Sequence, residues 1–427
     1  MKKIINIILS YFLLVSLLFS SSAFAQTKRK KILLSFEETL VLAGKQAQVY
    51  LKENISPSDA PKGFVLASPS KVDPDYYFHW VRDAALVMDT LLTNSLLSKN
   101  EMENYLTLEM DHQKTFKLTG QGEPKFEKSG LSFQGPWGRP QNDGPALRAI
   151  VFMKHVNKLL AQGNRIEANK FYQNSLPANT PIKIDLEYIS HHWKELNFDL
   201  WEEVYGRHFY TLAVQSKALR EGAKLARIMG DDGAADWYQE QAASINLEMA
   251  KFSDGNLSYY KSSIIEKNNR TNRIFLDCAV ILSVIHTNNE STLFGLRDPK
   301  IQKTFFKILE TFESLYPINL KKPQIANWPR LGTAIGRYGE DVYFGGHPWF
   351  LLNNSFAEFS YRLAKIEKKK SAFWKKLGDE LLAVSLYYQD TNYRMSEQFD
   401  KNSGPNISAR DLSWSYSSLI SAIKSRN

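Results

Sequence analysis

Long stretches of this 427-residue chain repeat their apolar residues at the spacing of an amphipathic α-helix. Between 209 and 228, Leu212, Leu219 and Ala223 fall on one face, and Gly230 follows where a left-handed residue ends a helix. Similar patterns cover 83–93, 145–160, 234–249, 301–315, 349–366 and 372–388, whereas strand-like alternation is confined to short pieces such as 64–67 and 257–260. Helices of this kind bury their apolar faces against one another, so the pattern predicts a single all-α domain of packed helix pairs.

The first 25 residues have the composition of a secretory signal peptide. Lys2 and Lys3 precede a nearly continuous apolar run, and Ala23 and Ala25 occupy the −3 and −1 positions of a signal peptidase site. We expect cleavage after Ala25, which leaves the folded chain over 26–427. The alternative is an uncleaved anchor, because the run is almost long enough to cross a bilayer. The cleaved chain is expected in the periplasm or the medium, without membrane contact.

Cysteine content and charge narrow the class of protein further. Cys278 is the single cysteine, so an intramolecular disulfide is excluded and the fold must depend on packing. The formal net charge is +9, but the lysines are scattered, with one main cluster at 368–370. We interpret them as solvated helix faces and expect neither a nucleic-acid partner nor a permanent oligomer.

Long loops between the helices concentrate the residues suited to chemistry. The loops 118–144, 189–207, 327–348 and 389–415 are rich in Gly, Pro and Trp, and long ordered loops in a compact domain are usually functional. Together with 73–83 they place aromatic, carboxylate and arginine side chains in close succession. Sugar rings present C–H faces that stack on Trp and Tyr, and their hydroxyls need Arg, Asp and Gln partners. The mixture therefore favours a carbohydrate site.

Cleavage of a glycosidic bond needs two carboxyl groups, one that protonates the leaving oxygen and one that activates water or attacks carbon. Glu202 is a candidate for the acid because it lies beside Trp201, whose apolar surface would raise the pKa of a carboxyl group. Ordinary alternatives remain open. Glu202 and Glu203 could be a solvated pair at a helix start, and Asp199 could be the cap of that helix. The histidines show no metal-ligand spacing, so we expect no metal and no cofactor.

Five segments are more specific than these general patterns. They are DYYFHWVRD (75–83), GPWGRPQNDGPALRA (135–149), DLWEEV (199–204), GRYGEDVYFGG (336–346) and SEQFDKNSG (396–404). In order and spacing they resemble the glucoamylases, glycoside hydrolase family 15, particularly the fungal type with one catalytic domain. The similarity runs from about residue 67 to about residue 422, which is nearly the whole of 26–427.

The resemblance implies an (α/α)6 toroid of six inner and six outer helices, with the site at one end. It implies an exo-acting, inverting hydrolase that releases β-D-glucose from the non-reducing ends of α-1,4-linked glucans and maltooligosaccharides. By the same resemblance Glu202 is the acid and Glu397 the base, with Asp199 a minor candidate for the base. Inversion predicts carboxyl groups about 6.5–9.5 Å apart, which leaves room for a water molecule.

The resemblance also implies a set of substrate contacts. These are Tyr76, Trp80, Arg82, Asp83, Trp137, Trp201, Glu203, Arg337, Gln398 and Trp414. The chain departs from the family pattern at Val81, Tyr205, Gly339 and His347, where Thr, Asn, Pro and Asn are usual. These departures concern the outer subsites rather than the reaction.

Other functions remain open at this point. Within the same family, an α-1,6-acting glucodextranase or a trehalase would carry the same paired glutamates. A catalytically silent periplasmic sugar-binding protein would need neither Glu202 nor Glu397. A phosphorylase on a similar toroid would replace the base by phosphate and would leave Glu397 without a role.

Overall fold

The computed structural model describes residues 34–253, 255–265 and 273–427. The predicted signal peptide and its cleavage site after Ala25 lie outside these residues. In the described part of the chain there are twelve helices longer than one or two turns: Phe36–Glu53 (α1), Val81–Thr93 (α2), Lys99–Lys114 (α3), Gly144–Ala161 (α4), Pro181–His192 (α5), Phe209–Met229 (α6), Asp232–Ala250 (α7), Ala279–Thr287 (α8), Pro299–Leu315 (α9), Phe350–Ile366 (α10), Ser371–Tyr388 (α11) and Ser413–Arg426 (α12). Short helical turns occur at Arg165–Ala168 and Pro317–Leu320.

The helices alternate between an inner and an outer ring. Along the inner ring α2, α4, α6, α8, α10 and α12 each pack on the next, and α12 packs on α2, so the ring is closed. In the outer ring α1 packs on α12, α5 on α4, α7 on α6, α9 on α8 and α11 on α10. The sixth outer helix is α3, whose Tyr105 ring contacts Phe152 of α4. The chain is therefore an all-α (α/α)6 toroid, which confirms the predicted fold class. None of the described helices is long and apolar enough to cross a membrane.

The two rings follow from two kinds of helix sequence. The outer helix α9 buries only one stripe, including Ile301, Phe305, Ile308 and Phe312 at intervals of three and four residues, and its side-chain cap is Asp298. The inner helix α10 is instead buried on nearly all sides, because it faces both the outer ring and the ring axis. The predicted helix at 209–228 is confirmed as α6, which ends at Gly230 with φ of 83°.

Short antiparallel strands connect and order the loops that precede the inner helices. The strands are His79–Trp80 (β1), Lys125–Phe126 (β2), Asn197–Phe198 (β3), Tyr205–His208 (β4), Ser263–Ile264 (β5), Gln398–Phe399 (β6) and Asn406–Ile407 (β7). β1 pairs with β2, β3–β4–β5 form one small sheet, and β6 pairs with β7. The predicted strand pieces at 64–67 and 257–260 were wrong, since the first makes only an isolated bridge from Val65 to Ile55 and the second is not a strand.

Candidate active site

A cavity of about 650 Å³ opens at the end of the toroid where the inner helices begin. Arg82 and Asp83 from the first turn of α2 line it, as do Trp349, just before α10, and Trp414, at the start of α12. The positive ends of these helix dipoles therefore point toward the pocket and favour carboxylates there. Trp414 also lines a second cavity of about 170 Å³, so this residue separates the two cavities, and we call it the floor of the active-site pocket.

The structure brings eleven of the thirteen predicted site residues to this pocket. Those that line it are Tyr76, Trp80, Arg82, Asp83, Trp137, Trp201, Glu202, Glu203, Arg337, Glu397 and Trp414. Asp199 and Gln398 do not line it, although each contacts a residue or segment that does. The pocket therefore collects residues from every one of the five family segments.

Glu202 lies in the turn between β3 and β4, not at the start of a helix, so the helix-start interpretation was wrong. Its backbone is in the left-handed region with φ of 66°, which is costly for a residue with a Cβ and is typical of functional sites. Arg82 Nη2 donates to Glu202 Oε1 at 2.9 Å, and Trp137 Nε1 donates to Oε2 at 2.7 Å. Both carboxylate oxygens are thus held in place from two walls of the pocket.

Asp199 holds the turn that carries Glu202. Its Oδ1 accepts hydrogen bonds from the backbone N–H groups of Glu203 and Val204, each at 2.8 Å. The side chain is buried, and no helix begins here for it to cap. Asp199 is therefore placed to fix the backbone of the turn rather than to reach a substrate.

Trp137 is close to the Glu202 turn because Gly138 allows the two loops to touch. A Cβ at Gly138 would lie 2.9 Å from the carbonyl oxygen of Glu202, which is too close for any other residue. The indole beside the Glu202 carboxylate is consequently that of Trp137. The N–H of the Trp201 indole donates instead to the Asp277 carboxylate, at 3.0 and 3.2 Å.

Glu397 comes just before β6 and is almost completely buried. Burial raises the pKa of Glu397 to about 7, against hydrogen bonds from Ser408 and Tyr76 that lower it. The Ser408 hydroxyl donates to Oε2, and Gln398 Nε2 donates to the same oxygen at 3.2 Å. Gln398 thus supports Glu397 from behind.

Tyr76 connects the two glutamates in space. Its hydroxyl forms a 2.7 Å hydrogen bond with the hydroxyl of Tyr343. Burial raises the pKa of Tyr76 well above its usual value, and the negative charges of Glu397 and Glu202 raise it further. Glu202 and Glu397, which are far apart in the sequence, therefore both lie near the hydroxyl of Tyr76 in the folded protein.

Arg82 is a buried guanidinium with acceptors on several sides. Nη1 donates to Gln141 Oε1 at 2.9 Å and to Asp143 Oδ2 at 3.1 Å, in addition to the bond to Glu202. Nε lies 3.5 Å from Asp83 Oδ2 but makes no hydrogen bond within the described part of the chain. Burial raises the pKa of Asp83 to about 6, although Arg82 lowers it. The guanidinium is thus held beside the Asp83 carboxylate, and both residues line the pocket.

Glu203 and Arg337 form a second network in the wall of the pocket. Arg337 Nη2 donates to Glu203 Oε1 at 2.7 Å, and the Tyr338 hydroxyl donates to Oε2 at 2.5 Å. Arg337 is also bound by Asp341, with distances of 2.7 and 2.8 Å, and Arg273 pairs with Glu203. The two residues are thus coupled to each other before any ligand binds.

Lys125 is a pocket residue that the sequence reasoning missed. Its ammonium lies 3.2 Å from the ring centroid of Trp137 and within 4.1 to 4.6 Å of Phe78, Phe133 and Trp80. Burial lowers the pKa of Lys125 to about 8, while the charge of Glu202 raises it. The sequence contained one indication of this role, because Lys125 lies in the functional loop 118–144 and directly precedes the aromatic residue Phe126.

Sequence reasoning also missed a buried cluster of His79, Glu109 and His112, whose possible ligand atoms lie within 4.8 Å of one another. His79 Nδ1 accepts from the backbone N–H of Val65, so Nε2 carries the proton and donates to Glu109 at 2.5 Å. Glu109 is also paired with Arg148 at 3.0 Å. These bonds occupy His79 and Glu109, and the cluster fits a structural network between β1 and α3 better than a set of open metal ligands.

A deep pocket of carboxylates, arginines and indoles at one end of an (α/α)6 toroid is the arrangement of a glycoside hydrolase. Comparison with known proteins makes this specific. Residues 44–424 match the family model described as "Glycosyl hydrolases family 15", and the chain belongs to that family.

Individual relatives agree with the family. The chain is 34% identical to a protein described as probable glucoamylase from Schizosaccharomyces pombe, with 86% of each chain covered. It is 32% identical to a glucoamylase of Blastobotrys adeninivorans, covering 89% of this chain and 70% of that protein. The solved family 15 glucoamylase of Hypocrea jecorina superposes with a TM-score of 0.82 at 30% identity, covering 92% of this chain and 72% of the other. The glucoamylase of Saccharomycopsis fibuligera gives a TM-score of 0.77 at 27% identity, covering 92% and 96%.

Proposed function

We propose that this protein is an exo-acting, inverting glucan 1,4-α-glucosidase that releases β-D-glucose from the non-reducing ends of maltooligosaccharides and α-glucans. The observation that carries the proposal is that Glu202 and Glu397 line one pocket, with Tyr76 under the influence of both. The relatives described as glucoamylases support the same activity.

In the proposed mechanism Glu202 is the general acid and Glu397 the general base. Glu397 takes a proton from a water molecule, and the water oxygen forms a bond to the anomeric carbon. The glycosidic bond breaks on the opposite face, and Glu202 gives its proton to the departing oxygen. One displacement inverts the anomeric configuration, so an α-linked chain releases β-glucose. The two glutamates then exchange their protonation states with solvent before the next cycle.

The floor and walls of the pocket support an exo mode of cleavage. Trp414 separates the pocket from the 170 Å³ cavity, so we expect a chain end to fit, whereas an internal segment would have to continue through this floor. Arg82 and Asp83 both line the pocket, and we assign them the hydroxyls of the terminal glucose. Trp137, which is partly exposed at the rim, offers a ring to the next sugar.

Glucose released from maltotriose tests the proposal directly, because NMR in the first minutes distinguishes the two anomers before mutarotation mixes them. We expect β-glucose first. Initial α-glucose would mean retention and would remove the assigned roles of the two glutamates. Release only from trehalose or isomaltose would move the protein to the trehalase or α-1,6 activities, and binding without any hydrolysis would indicate a sugar-binding protein.

Replacing Ser408 by alanine is expected to move the acidic limb of the pH profile of kcat/KM upward by about one pH unit. A base must be deprotonated to act, and the Ser408 hydroxyl stabilises the charged form of Glu397. Loss of one hydrogen bond to a charged group, worth about 1.5 kcal/mol, raises the pKa of Glu397 by about one unit, so activity is lost at a higher pH on acidification. Ser403→Ala, which removes a hydroxyl bonded to Asp400 in the same loop, should leave the limb in place. An unmoved limb in Ser408→Ala would argue against Glu397 as the base.

We further propose that residues 1–25 are a cleaved signal peptide, that 26–427 form one catalytic domain, and that the enzyme acts outside the cytoplasm as a monomer without metal or cofactor. The alanines at positions 23 and 25 and the preceding apolar run support the export signal. N-terminal sequencing of the exported protein tests this, with Gln26 expected as the first residue.

A further inference from the structure

A third cavity, of about 280 Å³, lies between α6, α7 and the loop that follows α8. Its lining includes Ser216 and Arg220 from α6, Asn246 and Met249 from α7, and Phe294 from the loop. None of the residues of this cavity lines the active-site pocket. Its volume is near the lower end of the range for small-molecule sites, which suits a compact ligand.

Arg220 is the charged group of this cavity, and no carboxylate of the described residues pairs with it. Its Nη1 donates to the hydroxyl of Ser216 at 2.9 Å. The adjacent Glu221 is shared by Lys217, at 3.2 Å, and Lys224, at 3.0 Å. Burial lowers the pKa of Arg220, and Glu221 compensates this only in part. The guanidinium therefore has free donors and an uncompensated charge.

The other polar side chains of the cavity are neutral. The Ser216 hydroxyl donates to Asn246 Oδ1 at 3.0 Å, so the NH2 group of that amide is available as a donor. The described lining contains no Asp or Glu. A partly buried cation with no carboxylate in the described lining suits an anionic ligand.

The cavity is preformed on the loop side. Asn289 folds the loop on itself, because its Oδ1 accepts from the N–H of Ser291 and its Nδ2 donates to the carbonyl of Leu293, both at 3.0 Å. Phe294 is buried between Phe209 and Tyr260, with ring centroids 5.7 Å from each. A ligand therefore meets a fixed wall, and little ordering of the protein opposes binding.

We propose that this cavity is a binding site for a phosphate group, with Arg220 as its principal ligand and the Asn246 amide as a second donor. The planar guanidinium fork matches two oxygens of a tetrahedral phosphate. Met249 and Phe294 provide apolar surface for carbon atoms attached to that phosphate. The same phosphate chemistry is offered by free inorganic phosphate and by a phosphomonoester of a small sugar.

Isothermal titration calorimetry of the whole protein tests the proposal, with inorganic phosphate and glucose 6-phosphate as probes and glucose as the neutral control. Arg220→Gln should weaken binding of the phosphate probes by about ten- to a hundredfold, because it removes charge-assisted hydrogen bonds. Lys224→Gln removes the same charge one turn further along α6, from an exposed position, and should leave binding within about twofold. Hydrolysis of maltotriose by Arg220→Gln should equal that of the unchanged protein.

The outcomes separate the two phosphate sources and can overturn the site. Equal affinity for both probes would identify free phosphate as the ligand, and tighter binding of glucose 6-phosphate than of phosphate or glucose would identify a phosphomonoester. Absence of heat with both phosphate probes at millimolar concentration would refute the proposal. Equal losses in Arg220→Gln and Lys224→Gln would also refute it, since general charge would then explain the binding.

Discussion

Replacing Glu202 by glutamine is expected to lower kcat for maltotriose by about 10²–10⁴-fold, the usual contribution of a general acid. Glutamine keeps the shape of the side chain but has no proton to give to the leaving oxygen. It can still accept a hydrogen bond from either Arg82 or Trp137, which now bind the two carboxylate oxygens. The turn should therefore persist, and thermal unfolding should show a folded protein.

A second substrate separates loss of the acid from general damage to the site. An aryl α-glucoside with an acidic phenol as leaving group needs little protonation, so Glu202→Gln should hydrolyse it with a much smaller loss than it shows on maltotriose. Glu397→Gln removes the base and should lose both activities. Glu240→Gln, an exposed change on α7, serves as the matched control and should keep both. Equal losses on the two substrates in Glu202→Gln would contradict its role as acid.

Replacing Arg82 by lysine is expected to reduce kcat/KM by about 10²-fold or more and to lower the free energy of unfolding by about 3 kcal/mol. The guanidinium is bound at once by Gln141, Asp143 and Glu202, and a single ammonium group cannot reproduce this planar set of bonds. The buried carboxylate of Asp143 would then have a weaker positive partner, and this accounts for the loss of stability. The Glu202 carboxylate would lose one of its two supports, which accounts for the loss of rate.

The control for this prediction is Arg207→Lys. Arg207 lies in β4 near the same turn and pairs with Glu248 at 2.8 Å, but the pair is partly exposed and should contribute little. Steady-state kinetics corrected for the folded fraction, together with denaturant unfolding, measure both effects. Unchanged kcat/KM per folded molecule in Arg82→Lys would mean that Arg82 stabilises the fold without contributing to the reaction.

The helical pattern of the sequence determined most of the architecture. Apolar spacing located the helix at 209–228, and Gly230 marked its end, since only a residue tolerant of positive φ continues the chain there. The same reasoning failed for 257–260 because a short apolar segment looks alike whether it forms a strand or a buried loop. The five motifs identified the family because their order and spacing are specific, and the family model over 44–424 confirms it.

The arrangement of the site was decided by tertiary structure. Sequence placed Glu202 beside Trp201, but the fold turns Trp201 to Asp277 and brings Trp137 from a different loop to the carboxylate. It also surrounds Lys125 with aromatic rings from β1 and from the loop 118–144. Local sequence fixes backbone preferences and the identity of neighbours along the chain. The hydrogen bonds and the burial of the site residues instead depend on side chains from different loops, which meet only when the inner ring of helices is closed. These tertiary contacts set the charge and the orientation of each side chain in the site.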